Sequence, residues 1–323
     1  MKKFLQGSIV AVGAGVALAA CGNSTTEGEL RIAYFPNLTH ISTIVAIENG
    51  YFDDEFGDDA SFTTMTVPDG AQFMEAMSAN EIDIGTVGPV PAMNTYTRNQ
   101  AHSIIAGAVN GGAVIMARDG SGVESVSDLV GSNVAIPTIG STQDIMLRKE
   151  LADAGVDADD INFVPQAPAD TSILFSQGDA DAAATQEPWG SFLADNLDAT
   201  FLVDADEFAW GEESTNTVVT ASHEFLEVND DLARAYLRAH EQAVEFVAEN
   251  PDEAAQLFVD HIQEETGNEL DFDEIRLSLD RLFPTTDVNE QVLQEMAQIS
   301  EEAGQMSNTD IDGLVDLQYL ESE

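Results

Sequence analysis

The chain is poor in the residues that most chemistry needs. Its only cysteine is Cys21, and basic residues number 11 against 59 acidic ones. One cysteine excludes an internal disulfide. So few cations, with no basic patch, leave nothing to hold nucleic acid phosphates, and no nucleic acid partner is expected. The five histidines, His40, His102, His223, His240 and His261, are scattered and form no His-Glu-x-x-His. A histidine-rich zinc site is thereby disfavoured, and no metal or cofactor is expected. A Gly-x-Ser-x-Gly elbow and a phosphate-binding P-loop are also missing. The acidic run DDEFGDD, 53–59, lacks the spacing of an EF-hand calcium loop.

Long apolar runs are equally scarce. The one present, Phe4 to Ala20, follows Lys2 and Lys3 and ends in Leu18-Ala19-Ala20-Cys21. Charge, short apolar stretch and small residues in that order make residues 1–20 a secretory signal. The closing LAAC resembles the bacterial lipoprotein box, which implies a lipidated Cys21 and no free thiol. Residues 21–29, small and polar, suit a flexible tether after that anchor. With no second long apolar run, the chain reads as anchored at the outer membrane face rather than spanning the bilayer.

The net charge of −48 is spread along the whole chain. In concentrated brine, where the Debye length falls to ~3 Å at 1 M salt, such self-repulsion is screened. The pattern is that of a solvated acidic surface in a salt-rich medium.

What is abundant is alternation of strand-like and helix-like runs. ELRIAYF, SFTTMTV, IDIGTVG, SIIAGAV, AVIMARD, SNVAIP and INFVPQ read as strands, whereas ISTIVAIEN, AQFMEAMSAN, VPAMNTYTRN and TQDIMLRKELADAG read as helices. This is the α/β class. From residue 231 the pattern is mostly helical to the end, with Pro251 at a natural break. Crossings between two lobes fit best near Ala108 to Ala117 and near Thr215 to Ala221, both β-rich.

Several strands end in clusters of Gly, Pro, Ser or Thr, where open α/β sheets place their ligands. In GSTQD, Gly140 permits an unusual backbone angle, and Ser141 or Thr142 can cap the following helix, leaving hydroxyls and first-turn N–H groups facing outward. The same pattern also serves plain N-capping. Asp144 competes for the helix dipole, so a monoanion, a zwitterion or a neutral ligand fits better than a dianion. In VGPVPAMN, Gly88 allows close backbone approach and the prolines set a rigid lead, or simply a rigid turn. In TQEPWG, Trp189 can stack on a ligand or, with Glu187, favour a cation; a core indole is the competing role. The opening YFPNLTH gives a helix start with Asn37 or Thr39 as N-cap. His40 suits both a pocket donor and a first-turn surface residue.

LRIAYFPNLTH with AIENGYF, AMSANEIDIGTVGPVPAMN, GSTQD and GDADAAATQEPW, in this order, make the chain resemble the solute-binding proteins of bacterial ABC importers for nitrate, taurine and alkanesulfonates, a family with a branch for thiamine pyrimidine precursors. The resemblance runs from about Leu30 to Trp189. It implies a two-lobed type II periplasmic-binding-protein fold with two hinge crossings, lobe 1 being 30–112 plus 218–323 and lobe 2 being 113–217. It also implies a cleft bordered by Phe35, Asn37, Thr39, His40, Gly88, Val90, Ser141, Thr142, Gln143, Gln186, Glu187 and Trp189. The implied partners are a small solute and the permease and ATPase subunits of the importer, and no catalysis is implied. The rivals are a binder of a pyrimidine-type vitamin precursor, an enzyme on the same fold acting inside the cell, and an adhesive or sensory lipoprotein.

Overall fold

The computed structural model describes residues 29–58, 60–267 and 269–320. Cys21, the apolar N-terminal run and most of the expected tether lie outside the described residues. Eleven strands occur among them: β1 (Glu29–Tyr34), β2 (Ser61–Thr66), β3 (Ile84–Val87), β4 (His102–Gly111), β5 (Ala113–Ala117), β6 (Asn133–Ile136), β7 (Asn162–Pro165), β8 (Ala182–Gln186), β9 (Thr200–Val203), β10 (Thr217–Ser222) and β11 (Leu282–Pro284). They form two sheets. The first has the order β11-β4-β10-β3-β1-β2, the second β7-β6-β8-β5-β9.

The helices are α1 (Ile41–Glu48), α2 (Tyr51–Phe56), α3 (Gly70–Ser78), α4 (Pro89–Tyr96), α5 (Thr142–Asp153), α6 (Thr171–Gln177), α7 (Trp189–Leu197), α8 (His223–Leu226), α9 (Asp230–Glu249), α10 (Pro251–Thr266), α11 (Phe272–Leu279) and α12 (Glu290–Glu302). Parallel pairs such as β1 with β2 and β3, and β6 with β7 and β8, are bridged by these helices. Near-continuous burial along β4, β5 and β10 follows from sheets covered on both faces.

The expected α/β class holds, and the structure adds local detail. The acidic run at 53–59 begins inside α2, because Phe52 and Phe56 give it a buried side: Phe52 stacks between Phe56 (5.6 Å) and Tyr236 of α9 (4.9 Å). The C-terminal region is mostly helical, as expected, with one short strand in it. Leu282–Pro284 pairs antiparallel with β4 as an edge strand, too short to show a period of its own. At YFPNLTH a 3-10 turn, Leu38–His40, precedes α1, and Asn37 makes no side-chain cap bond.

The chain leaves the first sheet after Gly111 and enters the second at Ala113 with one residue between. Gly111 and Gly112 have φ of 65° and 71°, the left-handed region that favours glycine. A Cβ on Gly111 would stand 2.7 Å from the Arg281 carbonyl oxygen, so the tight crossing needs both the angle and the missing side chain. The return runs through residues 204–216 into β10, whose Thr217 pairs with Val109.

Candidate functional site

Polar side chains from both sheets converge on a cavity of about 50 Å³. The first-sheet side supplies Phe35, Thr39 and His40 from the loop after β1, Gly88 ahead of α4, and Asp69 at the start of α3. The second-sheet side supplies Ser141, Thr142 and Gln143 from the N-terminus of α5, and Gln186 from the end of β8. Asn216 at the end of the return crossing and Thr217 at the start of β10 add to the lining, with prolines from both sides between the polar groups. Fifty cubic ångströms holds only a few water-sized bodies. The space continues, however, into an outer groove of about 370 Å³ that shares Phe35 and Gln186 and adds Asn37 and Trp189.

Local chemistry explains the geometry of each wall. Ser141 is extended and its hydroxyl accepts the Asp144 N–H at 3.2 Å, a capped start that leaves Thr142 on the inner side. The Thr142 hydroxyl is buried without a partner among the described residues. It faces Gly88 so closely that a Cβ there would lie 2.4 Å from it. This is where the two halves of the site touch.

Asp144 does not reach the cavity. Fully buried, it accepts from Gly140 N–H (2.8 Å) and Arg148 Nε (2.8 Å). Burial raises its pKa, and these two donors oppose the rise.

The floor is a chain of side-chain amides. Gln143 Nε2 donates to Gln186 Oε1 (2.6 Å) and to Asn216 Oδ1 (3.2 Å), while Asn216 Nδ2 donates to the Gly111 carbonyl (2.7 Å). Both sheet-to-sheet crossings are therefore tied to the cavity wall by hydrogen bonds worth about 1 kcal/mol each.

His40 is 2% exposed, and its Nδ1 lies 2.8 Å from Thr86 Oγ1, itself 3.1 Å from Thr43 Oγ1. Its ring rests on Phe35 at 4.5 Å. Burial pushes its pKa down to about 3, so the imidazole is neutral across the ordinary pH range. Of the lining residues only Asp69 carries charge, and its carboxylate is occupied by the Gln72 N–H (2.9 Å) and side-chain amide (2.6 Å). No lysine or arginine lines the cavity. The result is an enclosure without cations, lined by hydroxyls, amides, prolines and one carboxylate, suited to reversible capture.

Of the residues expected at the cleft, Phe35, Thr39, His40, Gly88, Ser141, Thr142, Gln143 and Gln186 line the cavity, and Asn37 and Trp189 line the outer groove. Two expectations are corrected. Val90 is fully buried in the hydrophobic core, because α4 turns that face inward. Glu187 follows the last residue of β8 and turns away from the cavity, where its carboxylate accepts the Ser191 N–H (3.0 Å) and hydroxyl (3.1 Å). Sequence reasoning missed Asn216. Its signal was a polar run, Ser214 to Thr217, leading into a buried strand. Among the described residues no group of three or more His, Cys, Asp or Glu is arranged to hold a metal ion.

Two α/β bodies joined by paired crossings, with a polar cavity between them, define the periplasmic-binding-protein fold. An alkanesulfonate-binding protein of Xanthomonas axonopodis, solved with MOPS, superposes with a TM-score of 0.75 at 20% identity over 87% of this chain and 95% of that one. The model of the NMT1-like family matches residues 24–260, and the chain belongs to that family. A Bacillus subtilis relative with the provisional name aliphatic sulfonates-binding protein is 25% identical over 264 residues, 79% of this chain and 78% of its own. The formylaminopyrimidine-binding protein of Halalkalibacterium halodurans is 24% identical over 259 residues, 73% of each.

Proposed function

We propose that the protein is the solute-capturing component of an ABC importer, enclosing a small sulfonate-, nitrate- or taurine-like solute between lobe 1 (30–112 and 218–323) and lobe 2 (113–217) and handing it to a permease driven by an ATPase. The observation that carries this reading is the convergence of Thr39 and His40 from one sheet with Thr142, Gln143 and Gln186 from the other on a single polar cavity. Closure is driven only by contacts a solute makes to both lobes at once, and this arrangement supplies them. Family membership and the names of the relatives support the same reading. The protein itself performs no chemistry.

The rest of the reading concerns the cell. Lipid on Cys21, after removal of residues 1–20, holds the protein at the outer membrane face, and the acid-rich surface suits a brine. Among the described residues no helix is long and apolar enough to cross a membrane.

A second reading, a pyrimidine-type vitamin precursor as solute, draws support from the lack of any cation in the cavity lining and from the named pyrimidine-binding relative. Titration calorimetry with taurine, methanesulfonate, nitrate and cytosine separates the two. Tighter binding of an oxyanion supports the first reading, tighter binding of cytosine the second, and binding of none sinks both. Mass spectrometry of the membrane-extracted protein tests the anchor: an unmodified Cys21 thiol rejects it.

A further inference from the structure

Behind the cavity floor, one arginine reaches from the first-sheet body to the second. Arg281 lies between α11 and β11, separated from the helix end by one residue and directly before the strand. Its carbonyl accepts the Gly112 N–H at 2.8 Å, and the Gly112 carbonyl in turn accepts the Glu187 N–H at 2.8 Å. The single residue of the first crossing is thus held between Arg281 on one side and Glu187 on the other. The side chains repeat the link. Arg281 Nε donates to Asp204 Oδ1 at 2.7 Å, Nη1 lies 3.5 Å from Glu187 Oε1, and the guanidinium lies over the Phe201 ring at 4.1 Å.

Glu187 and Phe201 belong to the chain between the two crossings and Asp204 opens the return crossing, whereas Arg281 lies outside all three. Glu187 is fully buried, and the residue before it, Gln186, presents its amide to the cavity. A contact at Arg281 is therefore one residue removed from the solute site.

The surroundings make this arginine more than one ion pair among several. It sits in a groove of about 480 Å³ that shares no lining residue with the cavity. Asp195, Asp204, Asp206 and Glu212 face it from the second-sheet side, and Glu274 and Asp280 from α11 and the turn after it. Arg281 is the only basic residue in that lining. Asp271 adds to the negative field at Glu274. Without the guanidinium, the two bodies would confront each other there with carboxylates alone, and Glu187 would be a buried acid without its cation.

We infer that Arg281 is a positioning residue for the solute site, a clasp across the hinge that holds Gln186 in the cavity wall and favours the closed arrangement of the two lobes. The inference rests on the reading of the protein as a solute binder. The clasp is present in the arrangement in which Gly88 and Thr142 touch and the cavity measures about 50 Å³.

The test uses the full chain with Cys21→Ser, spin labels on cysteines at exposed Val130 and Val228, and pulsed-EPR distances taken with and without taurine, nitrate, methanesulfonate or cytosine. Arg281→Met is expected to shift the unliganded distance distribution and to weaken the best-binding probe about tenfold. Arg281→Lys, which keeps the charge, should restore most of both. Asp204→Asn, which removes the other end of the contact, should shift the distribution in the same direction and serves if Arg281→Met does not fold. Distributions and affinities equal to the parent in the folded variants overturn the clasp. If no probe binds even the parent, the solute-binding reading falls on its own, and the unliganded distances still decide whether Arg281 sets the arrangement.

Discussion

Gly88→Ala isolates the contact on which closure depends. Gly88 has φ −64° and ψ 143°, a conformation any residue adopts, so alanine meets no backbone strain there. The whole cost is steric: the new Cβ would stand 2.4 Å from Thr142 Oγ1. Thr142 is 2% exposed and β-branched, with little freedom to turn its hydroxyl aside. The clash lies between the two bodies and not within either, so parting them relieves it more readily than unfolding. Overpacking of this kind costs about 1–3 kcal/mol, equivalent to a loss of solute affinity of roughly 5- to 150-fold. The melting temperature of the unliganded protein should change little.

Thr142→Ala supplies the control. With Oγ1 gone, the nearest remaining neighbours of the new methyl are Thr142 Cβ at 3.4 Å and Pro91 Cδ at 3.8 Å, both ordinary contacts. On its own Thr142→Ala should lower affinity by about 1 kcal/mol or more through its lost hydroxyl. In that background Gly88→Ala should then cost almost nothing further. Calorimetry of the four proteins closes the cycle. Unchanged affinity in Gly88→Ala, or an equal loss with and without the Thr142 hydroxyl, refutes the argument.

Three further outcomes follow from the geometry. Burial lowers His40 to about 3 and His102 and His240 to about 4, and raises Glu187 and Glu274 to about 7. Folding therefore keeps protons off the histidines below pH 6.5, a loss of stability as pH falls. It keeps them on the glutamates up to about pH 7, a loss of stability as pH rises from 4.5. With three groups against two, the histidines prevail between 4.5 and 6.5. Removing the Glu187 share by Glu187→Gln should steepen the acid-side fall by up to about 1.4 kcal/mol per pH unit, and denaturant titrations showing an unchanged slope would contradict its raised pKa. Asn216→Ala cuts the amide chain between the crossings. Unfolding should become easier by about 1–3 kcal/mol, with faster hydrogen exchange near Gly111, and a local rate equal to the parent's would argue against the tie. Because His40 is neutral throughout, solute affinity should stay flat between pH 5 and 8 as far as this residue is concerned. A titration near 6.5 that disappears in His40→Gln would show the imidazole to be protonated and refute its burial.

What the sequence determined by itself was whatever depends on near neighbours. Strand runs, the Gly and Pro punctuation at their ends and the Ser141 cap over Asp144 are written within four or five residues of one another, so the α/β class and most of the cavity-lining loops could be read directly. Tertiary structure alone decided which face each of those loops presents. Gln186 and Glu187 are adjacent in the chain, yet one amide joins Gln143 and Asn216 at the cavity while the other carboxylate is buried against Ser191 and Arg281. Asn216 meets Gln143 across 73 residues, and the β11 edge strand exists only because β4 is there to pair with it. These choices rest on register and long-range packing, where shifting a strand by one residue exchanges its two faces, and no local pattern carries that information.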